Sequence, residues 1–209
     1  MSNFKLEPGD ILVNINNRND LFSKVKRWLA GPYEHIFMYM GKLGLIVNRR
    51  QPRILRFPML FESYGRGVCL RSLSERYGQE VVVMRLKSEH DRKRIPRVLE
   101  EAVKLASHPQ SYYDYLCIIR FVLPRIIFEK LRLPMPLSWH RDARQICSEA
   151  VYEIFHRAKL VDILLPYCTP PLPGDFVTDS ALLGEGWRGT LSEDLISLEG
   201  HAKNDPSGM

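Results

Sequence analysis

The sequence predicts an α+β domain, with strands packed first and helices around them. Strand-length apolar runs occupy residues 10–86, helical spacing takes over in 95–158, and no internal repeat, low-complexity tract or linker interrupts the chain before its C-terminus.

The elements follow in order. After Pro8-Gly9, the β-branched run 10–15 is a strand. Asn19-Asp20 caps a helix in which Leu21, Val25, Trp28 and Leu29 share one face, and Gly31-Pro32 stops it. Four strands are expected next, at 36–40, 43–48, 53–57 and 60–63. Gly65 and Gly67 turn the chain into 68–70, and 81–86 is a further strand. Ile95, Val98, Leu99, Ala102 and Ala106 then mark a helix whose start is complicated by Pro96. A helix over 112–131 breaks near Pro124, and 145–158 is helical, with Ile146, Ala150, Ile154 and Ala158 spaced four apart. One domain over 1–200 and a frayed tail at 201–209 complete the reading.

Composition removes several classes. With 209 residues, 45% hydrophobic and 26% charged, the chain is no disordered, collagen-like or coiled-coil protein. Its net charge of +6 mildly favours anionic surfaces. No basic start leads into an apolar run, and the richest apolar stretch, 116–128, is broken by Arg120, Pro124 and Arg125. Four cysteines without a CxxC pair are too few for a disulfide scaffold or a thiol-rich zinc site, so free thiols in a reducing cytoplasm are expected. Delivery to the cell envelope by a phage or secretion machine stays open. His90, His108, His140, His156 and His201 show no metal-ligand spacing, and no phosphate-cradling glycine loop occurs. No metal, cofactor or nucleic acid is expected.

Cys147 stands at the first turn of the 145–158 helix, where free amides and the helix dipole favour a thiolate and suit an oxyanion. It also shares a face with Val151, Ile154 and Ala158, so a core cysteine is the alternative. A nucleophilic thiol needs a base. His35, at the mouth of a strand just past Gly31-Pro32, is the candidate. Glu62, an ionisable residue in the apolar strand 60–63, is a candidate to orient it; the alternative is a solvent-facing strand residue. Cys69, Cys117 and Cys168 lack any comparable frame.

Gly9-Asp10-Ile11-Leu12-Val13, His35-Ile36-Phe37-Met38-Tyr39-Met40-Gly41, Phe61-Glu62-Ser63 and Ile146-Cys147-Ser148-Glu149-Ala150-Val151, in that order, resemble the circularly permuted NlpC-type papain-like cysteine hydrolases, YiiX/YebB-like branch. The histidine strand preceding the cysteine helix is that group's order, and the resemblance runs over about 9–189. It implies an antiparallel sheet carrying the histidine packed against the cysteine helix. It also implies Cys147 as nucleophile, His35 as general base, Glu62 as the residue orienting it, and Asp10 as a structural turn residue. One departure stands out: the family often has Val-Gly-Ile after the histidine, and this chain has Ile36-Phe37-Met38.

The reaction expected is cleavage of an amide (peptide or isopeptide) or acyl bond through a covalent acyl-enzyme, on a peptide, peptidoglycan-like or acyl-lipid substrate. The related lecithin retinol acyltransferase group, which uses the same residue order on lipid esters, supplies the rival. A non-catalytic binding module of the same fold is the third reading. The segment 116–137 mixes apolar residues with Arg120, Arg125, Lys130 and Arg132; it is read as a core helix with snorkelling arginines, with contact to an anionic membrane or polymer as the alternative. Arg92, Lys93, Arg94 and Arg97 are read as a solvated basic face, as are Arg49, Arg50, Arg53 and Arg56.

Overall fold

Two strands with buried apolar runs, 11–13 and 81–84, lie next to each other in the sheet. In β1 (Ile11–Ile15) and β5 (Glu80–Leu86) apolar residues point to both sides, the pattern of strands covered on both faces. The computed structural model describes residues 4–17, 24, 27, 31–46, 54–65, 67–108, 123–131, 146–164 and 170–196. Within them β2 (Tyr33–Ile46), β3 (Ile54–Tyr64), β4 (Gly67–Ser72) and β6 (Leu183–Thr190) complete a six-stranded antiparallel sheet in the order β4-β3-β2-β1-β5-β6.

The strands expected at 36–40 and 43–48 are one strand, β2, and those at 53–57 and 60–63 are one strand, β3. Gly41 makes the first merger: its φ of +84° absorbs a bulge, where the register passes from Tyr39↔Leu60 to Gly41↔Met59. Pro58 is tolerated inside β3 because β4 begins its pairing one residue further on, at Met59↔Ser72, so the missing N–H costs no ladder bond on that side.

The helices are α1 (Glu89–Arg92), α2 (Ile95–Ala106), α3 (Leu123–Lys130), α4 (Cys147–Arg157) and α5 (Asp175–Thr178); α2 and α4, with Phe176 of α5, cover one face of the sheet. Ile11, Ile36, Met38, Phe61, Val82 and Met84 meet Val98, Ala102, Ala150, Val151, Ile154 and Phe155 there. Pro96 does not obstruct α2, because it sits in the first turn, where its missing N–H has no partner to lose. The opposite face buries Leu12, Phe37, Leu60 and Val83 beneath Leu6, Leu73, Leu191 and Leu195.

Arg92 and Arg94 are not simply a solvated face. Arg92 Nε donates to Leu86 O at 2.8 Å, and Arg94 donates to Lys159 O at 3.1 Å, closing the C-terminal end of α4, where Lys159 has φ +67°. Asp10 is buried and structural: it accepts from the Glu7 amide at 2.8 Å and twice from Arg85 at 2.7 Å. Of the helix expected at 112–131, the described part runs Leu123–Lys130 with Pro124 in its first turn; 116–122 and 132–137 lie outside the described residues, as do Arg49, Arg50, Arg53, Cys117, Cys168 and the tail 201–209. Of the helix after Asn19, Lys24 and Arg27 are described and helical, and Gly31 (φ +80°) returns its N–H to Arg27 O at 2.9 Å. No helix among the described residues is long and apolar enough to cross a membrane.

Candidate active site

The site forms where two strands part. Tyr39 directs its N–H at Asp10 O, so by strand alternation Ile36 directs its own away from β1 and towards β3. The β2–β3 ladder stops at Met38↔Phe61, two residues short of Ile36. The freed Ile36 amide donates instead to the Cys147 sulfur, which the N-terminus of α4 presents from the helical side. Cys147 is the first residue of α4, and the Glu149 carboxylate accepts the Ile146 N–H at 2.8 Å. Ser148 anchors the same turn by donating to Pro171 O at 2.5 Å.

His35 opens β2 opposite Asn14, with its ring on the sheet face shared by Phe37 and Glu62. The His35 imidazole and the Cys147 thiol face each other within interaction range, side chain to side chain. His35 Nε2 lies 2.9 Å from Glu62 Oε2, which leaves Nδ1 for the sulfur. Glu62 is 0% exposed, so the solvent-facing alternative for it does not hold.

Two arginines converge on Glu62. Arg76, at the end of the 3₁₀ turn Leu73–Arg76, donates to Glu62 Oε2 at 2.6 Å, and Arg71 Nε lies 3.5 Å from Oε1. No sequence signal marks Arg76, because its partners come from other strands. Phe37 does not fill a pocket next to the thiol. It is fully buried on the far face and lies under the Arg76 guanidinium, 5.6 Å from its ring centroid.

The electrostatics follow from these contacts. Burial alone would drive the Cys147 thiol up; the His35 charge and hydrogen bond, with the amides of Ile36 and Ser148, overcome it and hold the thiol below its ordinary value. Burial likewise opposes the imidazolium, yet the Cys147 thiolate and the Glu62 carboxylate raise His35 to about 9. Glu62 is pulled down, against its own burial, by His35 and Arg76. The arrangement favours a thiolate–imidazolium pair.

Cys147 is 6% exposed, whereas His35 lines a cleft of about 690 Å³ with Asn14, Asn16, Glu34, Tyr64, Arg76 and Gln79. Cys69 sits in β4 opposite Glu62, and burial raises its thiol. Among the described residues no group of three or more His, Cys, Asp and Glu side chains is placed to hold a metal ion.

No protein-family model matches this chain. No curated protein matches it either. Among solved structures, the chain is similar to the crystal structure of the metalloprotein yiiX from Escherichia coli O157:H7, with a TM-score of 0.48 and 20% identity over 78% of this chain and 71% of that one.

Proposed function

We propose that this protein is a cysteine hydrolase of the permuted NlpC-type papain-like arrangement, cleaving amide bonds through a covalent acyl-enzyme. The observation that carries the reading is the chain of contacts Cys147–His35–Glu62, with the Ile36 and Ser148 amides on the sulfur. In the reaction the His35 ring holds the proton that leaves Cys147. The thiolate attacks the carbonyl carbon, a C–S bond forms, and the first-turn amides of α4 stabilise the oxyanion. His35 then protonates the departing amine as the C–N bond breaks. Water, deprotonated by His35, hydrolyses the thioester and returns the thiol. The polar lining beside His35, with Asn14, Asn16, Gln79 and Glu34, suits an amide-bearing chain better than an acyl lipid.

A second reading, a binding module with Cys147 as a core residue, is favoured by the low exposure of that thiol. Alkylation separates the two. On the hydrolase reading iodoacetamide modifies Cys147 in the folded chain below pH 7, and Cys147→Ala and His35→Ala each abolish labelling by an electrophilic amide probe. Modification of Cys147 only after unfolding, or labelling at Cys69, Cys117 or Cys168 instead, rejects it. Incubation with muropeptides and with short-chain thioesters then separates amide from acyl chemistry.

A further inference from the structure

We propose that Arg76 is a positioning residue of this site: clamped over the Phe37 and Tyr64 rings, its guanidinium fixes the Glu62 carboxylate oxygen that holds His35. This rests on the hydrolase reading above and adds to it a component that no residue pattern indicates.

Glu62 Oε2 takes two partners, His35 Nε2 at 2.9 Å and Arg76 at 2.6 Å. One oxygen therefore transmits any movement of the guanidinium to the imidazole. Glu62 is wholly buried, and its other oxygen, Oε1, has no hydrogen-bond partner among the described residues, so the Oε2 contacts are what orient the carboxylate. Arg71 approaches Oε1 only at 3.5 Å and is drawn outward by Glu75, its i+4 partner. Arg76 is held from both sides of the site. Its guanidinium carbon lies 5.6 Å from the Phe37 centroid and 5.3 Å from that of Tyr64, and aromatic faces favour a planar cation. The bulky residue after the histidine strand begins, Phe37, thereby gains a purpose: it is the floor on which Arg76 rests. A buried carboxylate without this cation would tend to take up a proton or swing towards Arg71, and in either case the imidazolium would lose its anchor.

The charged and titratable groups facing Glu62 are His35 from β2, Cys69 and Arg71 from β4, and Glu75 and Arg76 from the 3₁₀ turn; Cys147 of α4 faces it through His35. Removing a cation from this set raises the proton affinity of its neighbours. Charge and geometry can be separated by two substitutions. Arg76→Met removes both, whereas Arg76→Lys keeps the charge and loses the planar stacked contact.

The test is the rate of Cys147 alkylation by iodoacetamide against pH, with the site located by peptide mass, in the full chain and in Arg76→Met, Arg76→Lys and Arg71→Met. The positioning role predicts that Arg76→Met moves the acid limb to higher pH by on the order of 0.5–1 unit and lowers the plateau. Arg76→Lys should hold the limb near the wild-type pH while the plateau still falls, and Arg71→Met should move the limb less than Arg76→Met. An acid limb unmoved in a folded Arg76→Met, or moved as far by Arg71→Met, overturns the proposal. If Arg76→Met does not fold, an unchanged plateau in Arg76→Lys overturns it instead. A wild-type Cys147 titrating as an ordinary thiol rejects the hydrolase reading itself, an outcome distinct from either.

Discussion

His35 Nε2 and Glu62 Oε2 stand 2.9 Å apart on neighbouring strands, the imidazole partly open to the cleft and the carboxylate sealed beneath the sheet. The pair ties a partly open ring to a rigid interior anchor. Replacing Glu62 by Gln retains the shape and removes the charge, leaving Arg76 facing no anion on that side. Labelling of Cys147 by an amide electrophile should slow by about 10²-fold, and the melt should shift by the equivalent of about 1–3 kcal/mol. Unaltered labelling kinetics in a folded Glu62→Gln chain exclude an orienting role for Glu62.

The imidazole should titrate far from its usual place. Proton NMR of His35 is expected to give a midpoint of about 9 in the native chain, moving down in Cys147→Ala, where the thiolate that helps raise it is gone. The sign for stability follows. His35 binds its proton more tightly folded than unfolded, so its stabilising contribution is complete below pH 6.5 and is lost as pH rises through about 9. An unshifted midpoint in Cys147→Ala contradicts the thiolate contact.

Asp10 bears on folding and not on chemistry. It joins the Glu7 amide to Arg85 at the start of β1, and Asp10→Ala leaves a part-buried guanidinium short of its main partner. Urea unfolding should show a loss of about 2–4 kcal/mol, with no change in the pH dependence of Cys147 alkylation once the chain is folded.

Gly41→Ala tests the bulge that makes β2 continuous. An alanine there keeps a φ of +84° that side chains resist, and its Cβ meets Pro8 Cγ at 3.0 Å. A cost of about 1–3 kcal/mol is expected by thermal melting. A melt equal to that of the native chain would show that the backbone at 41 is free to adopt another conformation.

Much of the fold was legible because the apolar pattern is strong where both faces are covered. β1 and β5 fall close to their expected positions for that reason, and α2 and α4 because their apolar residues recur at helical spacing. The merged strands were hidden because Gly41 and Pro58 read as breaks when taken alone, while their neighbours in space turn them into a bulge and an unpaired edge. β6 carries Gly184, Gly186 and Gly189 among charged residues and so lacks any alternation; its existence depends on pairing with β5. Of the site, Cys147, His35 and Glu62 were candidates on their residue types and places in the chain, whereas the approach of His35 to Cys147 depends on where β2 and β3 part. Arg76 was not foreshadowed, since its importance comes from two rings and a carboxylate brought together by β2 and β3.

On the hydrolase reading, the gap between β2 and β3 also sets when reactivity can appear. During synthesis the histidine emerges early and the cysteine late, and the sulfur gains its amide and imidazole partners only after α4 seats against the finished sheet. Until that docking the thiol is an ordinary one. A half-made or locally opened chain is therefore chemically quiet, and the acidity of a single sulfur atom becomes a gauge of whether assembly is complete.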